Sequence, residues 1–187
     1  FAMDDKVVLA SRLMGSAQME NKLKTKQCFR LMAIHYKRRI WITNNHWLAD
    51  ADRVMVPVDA PESDWQFFGG EFSKLSSAMR KAIIKLLSQN EIKAHYRIRD
   101  TGWSHEDTSQ SRPSRLSLRE IKDKKSKHLG IDAEYTAAFA DCELWGSTDR
   151  SPIQAWKDGK LQGIIMPIFL DGDEWRPLSM KGLGRNK

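Results

Sequence analysis

The spacing of apolar and polar positions changes period several times along the chain. Residues 29–43 hold two apolar runs, FRLMAIHY and IWIT, parted by the polar turn KRR, and read as a β-hairpin rich in β-branched and aromatic residues. The run VMVPV, Val54 to Val58, is a further strand-like stretch in which Pro57 marks an edge or an end. Ahead of the hairpin, Asp4 to Lys24 has few breakers apart from Gly15. Val7, Val8, Leu9, Leu13, Met14 and Ala17 form a loose stripe there, with acids first and lysines last, which predicts a helix. Asp59 to Gly70 contains Pro61 and Gly69-Gly70 and reads as a connection. From Glu71 to Leu87 the period is helical. Phe72, Leu75, Met79, Ala82, Ile83, Leu86 and Leu87 fall on one side, and Lys74, Lys81 and Lys85 on the other.

Beyond this helix, Ile92 to Ile98 alternates as a strand does, and Asp100 to Ser117 is polar with Gly102 and Pro113, which predicts a long loop. Residues 112–128 gather Arg112, Arg115, Arg119, Lys122, Lys124, Lys125 and Lys127, a basic segment suited to phosphate contact or to a solvated loop. HLGI, DAEYTAAF, ADCELW, SPIQAW and GKLQGIIMPI then read as a strand, a short helix capped by Asp132 and three short strands. The remainder, from residue 171, is Gly-rich, basic at its end and expected to be extended or partly disordered.

Composition narrows the function classes. A net charge of +7 favours a polyanionic partner, nucleic acid first. No apolar run approaches the ~20 residues of a membrane span, and no secretory signal is visible. The two cysteines, Cys28 and Cys142, match no metal-ligand spacing and fit a reducing cytoplasm. Phosphate-binding glycine loops, nucleophile elbows and paired CxxC motifs are absent, so no cofactor is expected. His46 with Asp50 and Asp52 is the one cluster from which a metal-dependent nuclease can be built. His105-Glu106-Asp107 and Asp171, Asp173 and Glu174 lack the spacing of a metal pair or a calcium loop. Among the seven tryptophans, Trp41 and Trp156 are expected in the core, while Trp103 and Trp175 fall in loops where a base could stack.

The ordered series Ile131-Asp132-Ala133-Glu134-Tyr135, Ser151-Pro152-Ile153 and Ile164-Ile165-Met166-Pro167-Ile168 resembles the end of the bacterial sliding clamp, the DNA polymerase III beta subunit. The stretch WQFFGGEFSKLSSAMRKAIIKLL is similar to the opening of that family's repeat, and SRPSRL to its Ser-Arg-Leu segment. The resemblance implies a β-α-β-β-β unit used twice, with basic helix faces toward DNA. It also implies a pocket for short peptides of a DNA polymerase or another DNA-processing protein. That pocket would fall at Ile164, Ile165, Met166, Pro167 and Ile168, where a methionine adapts to different partners.

The expectation is therefore an α+β fold, a clamp-like domain with antiparallel sheets and two or three packed helices. An N-terminal region would occupy residues 1–66, the clamp-like domain 67–170 and a basic tail 171–187. The expected function is non-enzymatic: contact with DNA phosphates through Lys74, Lys81, Lys85, Arg112, Arg115, Arg119, Lys122, Lys124 and Lys125, with an oligomer conceivable. Two alternatives stay open, a nuclease built on His46 and a protein-only adaptor or inhibitor.

Overall fold

The structure is a computed structural model and describes residues 23, 30–56, 59–107, 114–122, 127–171 and 174–177. The chain divides into two compact units, Phe1–Asn44 with Leu48–Gln89 and Asn45–Trp47 with Asn90–Lys187.

In the first unit β1 (Arg30–Tyr36) and β2 (Arg39–Thr43) form the hairpin expected from the two apolar runs. Lys37 and Arg38 make its turn with φ of 47° and 63°. Two successive positive φ values give the backbone twist that matches paired strands. β3 (Trp47–Asp50) extends the sheet beyond β2. β4 (Trp65–Phe68) pairs with β1, and β5 (Glu71–Lys74) pairs with β4, in the order β3-β2-β1-β4-β5. Leu31, Met32, Ala33 and Ile34 are all buried, as befits a central strand covered on both faces. Helix α1 (Ser77–Gln89) adds Ile83, Leu86 and Leu87 to this core.

The second unit holds β6 (Tyr96–Asp107), β7 (Ser114–Ile121), β8 (Lys127–Asp132), α2 (Ala133–Ala138), β9 (Glu143–Gly146), β10 (Ile153–Lys157), β11 (Lys160–Ile165), β12 (Ile168–Asp171) and β13 (Glu174–Pro177). Its strand order is β13-β12-β8-β7-β6-β9-β10-β11, antiparallel at every pairing described. Ile98, Ile121, Leu129, Ile131, Phe139, Leu144, Ile153 and Ile164 fill the interior. Gln154, 4% exposed, ties residues 90–94 to β10. Its amide donates to Asn90 Oδ1 (3.0 Å) and the Ile92 carbonyl (3.1 Å), and its Oε1 accepts from Ala94 N (2.8 Å) and Trp156 Nε1 (2.9 Å). Among the described residues no helix is long and apolar enough to cross a membrane.

The α+β expectation is overturned: the described residues are predominantly antiparallel strand, with two α-helices of 13 and 6 residues. The helix foreseen over Glu71–Leu87 begins only at Ser77, because Glu71–Lys74 pairs with β4 across a Gly69-Gly70 turn whose φ values are 60° and 85°. Only Gly enters that region without a steric penalty, so the two glycines make a hairpin where a bare connection was expected. Val54 makes an isolated parallel bridge with Leu23 and no strand, while β3 lies just before it. The polar segment expected as a loop from Asp100 is instead mostly β6 and β7. Backbone ladders hold it, so it needs no apolar alternation. The strand, short helix and three strands expected after His128 are present as β8, α2, β9, β10 and β11. The start of the chain, where the first helix is expected, lies outside the described residues except for Leu23. The tail forms the β12–β13 hairpin, and residues 178–187 lie outside the described set.

Candidate functional site

Helix α1 starts at a serine cap: Ser76 Oγ accepts from Met79 N at 3.3 Å, satisfying one of the donors that a helix start leaves open. Its sequence, SAMRKAIIKLLSQ, carries Arg80, Lys81 and Lys85 and no acid. Lys81 and Lys85 stand one turn apart on the exposed face, opposite Ile83, Leu86 and Leu87. Neither lysine ammonium has a hydrogen-bond or ion-pair partner among the described residues. Soluble helices commonly intersperse both signs on such a face; this one presents a single sign.

Beside the N-terminus of α1 lies an open cleft of about 970 Å³, lined by His35, Asp64, Trp65, Phe72, Lys74 and Arg80 with several serines. Asp64 organises it. One carboxylate oxygen accepts from His35 N at 2.8 Å and meets His35 Nδ1 at 3.0 Å, and the other accepts from Arg80 Nε at 2.7 Å. Burial pushes the Asp64 carboxyl up, but the donors of His35 and Arg80 outweigh it and hold the group below the usual carboxylate range. Trp65 and Phe72 pack edge to face at 5.1 Å and form an apolar wall. Arg80 is thus committed to Asp64, whereas Lys74 is exposed on β5 and its ammonium has no partner among the described residues.

In the second unit β6 bulges against β7: Asp100 opposes Arg119, but Ser104 opposes Ser117. Gly102, with φ of 78°, lets the chain fold over itself, and its N–H donates to Asp100 Oδ1 at 2.9 Å. Thr101 Oγ1 donates to the Leu118 carbonyl at 2.8 Å and accepts from Trp103 N at 3.2 Å. The bulge leaves Trp103 73% exposed and turns Asp100 Oδ2 toward Arg119 Nη1, 3.4 Å away. Helix α2, capped by Asp132 Oδ1 accepting from Glu134 N at 2.9 Å, packs on β7 and β8. A cleft of about 660 Å³ lies here, lined by Arg97, Arg99, Asp100, Arg119, Thr136 and Cys142 with an apolar floor of Ile98, Phe139 and Leu144. On β9, Glu143 is held below the usual carboxylate range by the Trp145 Nε1 donor (3.1 Å), with Arg97 (3.1 Å) and Lys93 beside it. Lys93 Nζ lies 5.0 Å from the Trp145 ring centre and 5.6 Å from that of Trp156.

The residues expected at a DNA surface are therefore dispersed. Lys81 and Lys85 share the α1 face, Lys74 sits on β5, Arg119 lies under α2, and Lys122 is exposed just past β7. Arg112, Lys124 and Lys125 lie outside the described residues. Arg115 is on β7, with its side chain also outside them. Lys74 leaves the helical stripe because its segment is strand, so its link to Lys81 and Lys85 on one helix is corrected. Ile164 and Ile165 are 0% exposed, Met166 is 4% exposed, Pro167 is buried and Ile168 is half-buried. None of these five lines either cleft described above. Trp41 and Trp156 are in the core as expected, Trp103 is exposed on the bulge, and the Trp175 side chain lies outside the described residues.

Asp50, proposed for a nuclease, accepts from Arg39 Nε at 2.8 Å and caps the short 3-10 turn through Asp52 N at 3.0 Å. Among the described residues no three His, Cys, Asp or Glu side chains stand together as a metal site. Sequence reading missed His35, Asp64, Arg80 and Asp100. The first three lie 29 and 16 residues apart, a spacing that carries no signal by itself. No protein-family model, curated protein or solved structure matches the chain.

Proposed function

We propose that this is a non-catalytic, nucleic-acid-associated protein that seats a phosphate backbone on the exposed face of α1. The observation that carries the reading is the helix itself: Arg80, Lys81 and Lys85 with no acid in 13 residues, and both lysines unpartnered among the described residues. Lys74, equally unpartnered at the adjoining cleft, extends the positive surface. The net charge of +7 supplies the long-range attraction. The sliding-clamp resemblance supports the same reading, as does the run of strand, short helix and three strands on which it rests. Cytoplasmic localisation accords with the cysteine content.

Binding of this kind depends on counterion release, so affinity for duplex DNA falls steeply with salt. Charge reversal at Lys81 and Lys85 is expected to weaken binding by about tenfold or more at low salt and to flatten the log–log salt slope by roughly 0.9 per lost phosphate contact. Fluorescence anisotropy with a labelled duplex over a salt series measures both. Wild-type affinity and slope in Lys81→Glu/Lys85→Glu would remove α1 from the interface.

A further inference from the structure

The cleft of the second unit has a chemistry that phosphate-backbone binding on α1 does not use. Arginine outnumbers acid in its lining by three to one, Arg97, Arg99 and Arg119 against Asp100. The three differ in their commitments. Arg97 Nη1 is bonded to Glu143 at 3.1 Å, and Arg99 is exposed. Arg119 is the anchored one: its side chain is only 16% exposed, and its Nη1 stands 3.4 Å from Asp100 Oδ2. Its Nε is buried and has no hydrogen-bond partner among the described residues. A buried guanidinium N–H without an acceptor is costly and is rarely left so in a folded protein. Asp100 meets Arg119 at Nη1 through Oδ2, and its Oδ1 accepts from Gly102 N.

We propose that this cleft binds a small organic anion, a carboxylate or phosphate group on an apolar body, whose oxygens accept from the Arg119 guanidinium. A planar guanidinium fork suits either oxyanion. Ile98, Phe139 and Leu144 form the floor for the apolar body, and Arg97 and Arg99 add positive charge. The volume of about 660 Å³ is that of an ordinary small-ligand site. Cys142 lines the same cleft, so its thiol reports occupancy. The site lies in a different unit from α1, so its failure and that of the nucleic-acid reading are separately visible.

Inorganic phosphate, benzoate and chloride are titrated at matched ionic strength against the full chain. Melting midpoint and the alkylation rate of Cys142, resolved by peptide mass spectrometry, are the two readouts. Phosphate or benzoate is expected to raise the midpoint saturably and to slow Cys142 alkylation, whereas chloride does neither. Arg119→Lys keeps the charge but loses the fork and the Nε–H. It should bind about tenfold to hundredfold more weakly, the loss of one charge-assisted hydrogen bond. The Cys142 measurement on the unaltered chain stands even where Arg119→Lys fails to fold. Equal responses to all three salts would overturn the proposal, as would a benzoate response that survives in a folded Arg119→Lys.

Discussion

Asp64 and Asp132 are both partly buried carboxylates with backbone N–H donors, yet their titrations run in opposite directions. At Asp64 the added guanidinium of Arg80 and the His35 donors win over burial, so its folded pKa lies below the unfolded one. Its contribution to stability is therefore complete above roughly pH 4 and is lost as pH falls through the depressed folded value. Asp64→Asn should cost about 1 to 3 kcal/mol near neutrality, because charge-assisted bonds become neutral ones, and should flatten the acid limb of stability. Urea melts over an acid pH series measure this, and an unchanged acid limb would contradict it. At Asp132 burial dominates, the Glu134 N–H opposes it and the Glu134 charge adds to it, so the folded pKa is raised. Here stability declines as pH rises from the unfolded to the folded value. Asp132→Asn keeps a good helix cap without the buried charge and should be neutral or slightly stabilising at neutral pH. Asp132→Ala should lose about 1 kcal/mol. A thermal melt in which both variants lose equally would show that the charge, and not the cap bond, sets the balance.

At the scale of elements, β10 depends on one polar side chain. Gln154→Leu would leave the Trp156 and Ala94 N–H groups and the Ile92 carbonyl without their present partner, at a cost of about 3 kcal/mol or more. Chemical denaturation of the variant would reveal it, and a loss below 1 kcal/mol (about one ordinary hydrogen bond) would mean that water replaces the amide. Legibility varied in the same way, element by element. The β1–β2 hairpin, α2 and the closing strands were readable because compact apolar runs are parted by short turns such as Lys157-Asp158-Gly159-Lys160. The start of α1 was not, because Phe72 and Leu75 fit a helical stripe as well as a short strand leading into a cap. The opening of β6 fell within the expected strand, but β6 from Asp100 and β7 were hidden by polar side chains along a bulged pair, where periodicity reports nothing. The clefts were hidden for another reason: Asp64 and Arg119 acquire their meaning from residues on other strands and helices.

For the whole molecule, lysine ammonium groups on one helix without partners among the described residues, together with a net charge of +7, imply attraction without base readout. Duplexes of unrelated sequence should bind alike and share one salt slope; a preference above about tenfold at fixed salt would require base contacts that the phosphate reading does not contain. The turn at Lys37-Arg38 carries the same tension between charge and foldability. Both residues occupy left-handed backbone, at φ of 47° and 63°, where Asn-Gly would sit at lower cost by about 1 kcal/mol per residue. Lys37 recovers part of this by resting 5.4 Å from the Tyr36 ring centre. Exchanging the pair for Asn-Gly would take the net charge from +7 to +5. It should raise the melting midpoint while loosening retention on a polyanionic matrix. The hairpin tip is thus a reserve of thermal resistance that the chain leaves undrawn, held back in favour of two positive charges.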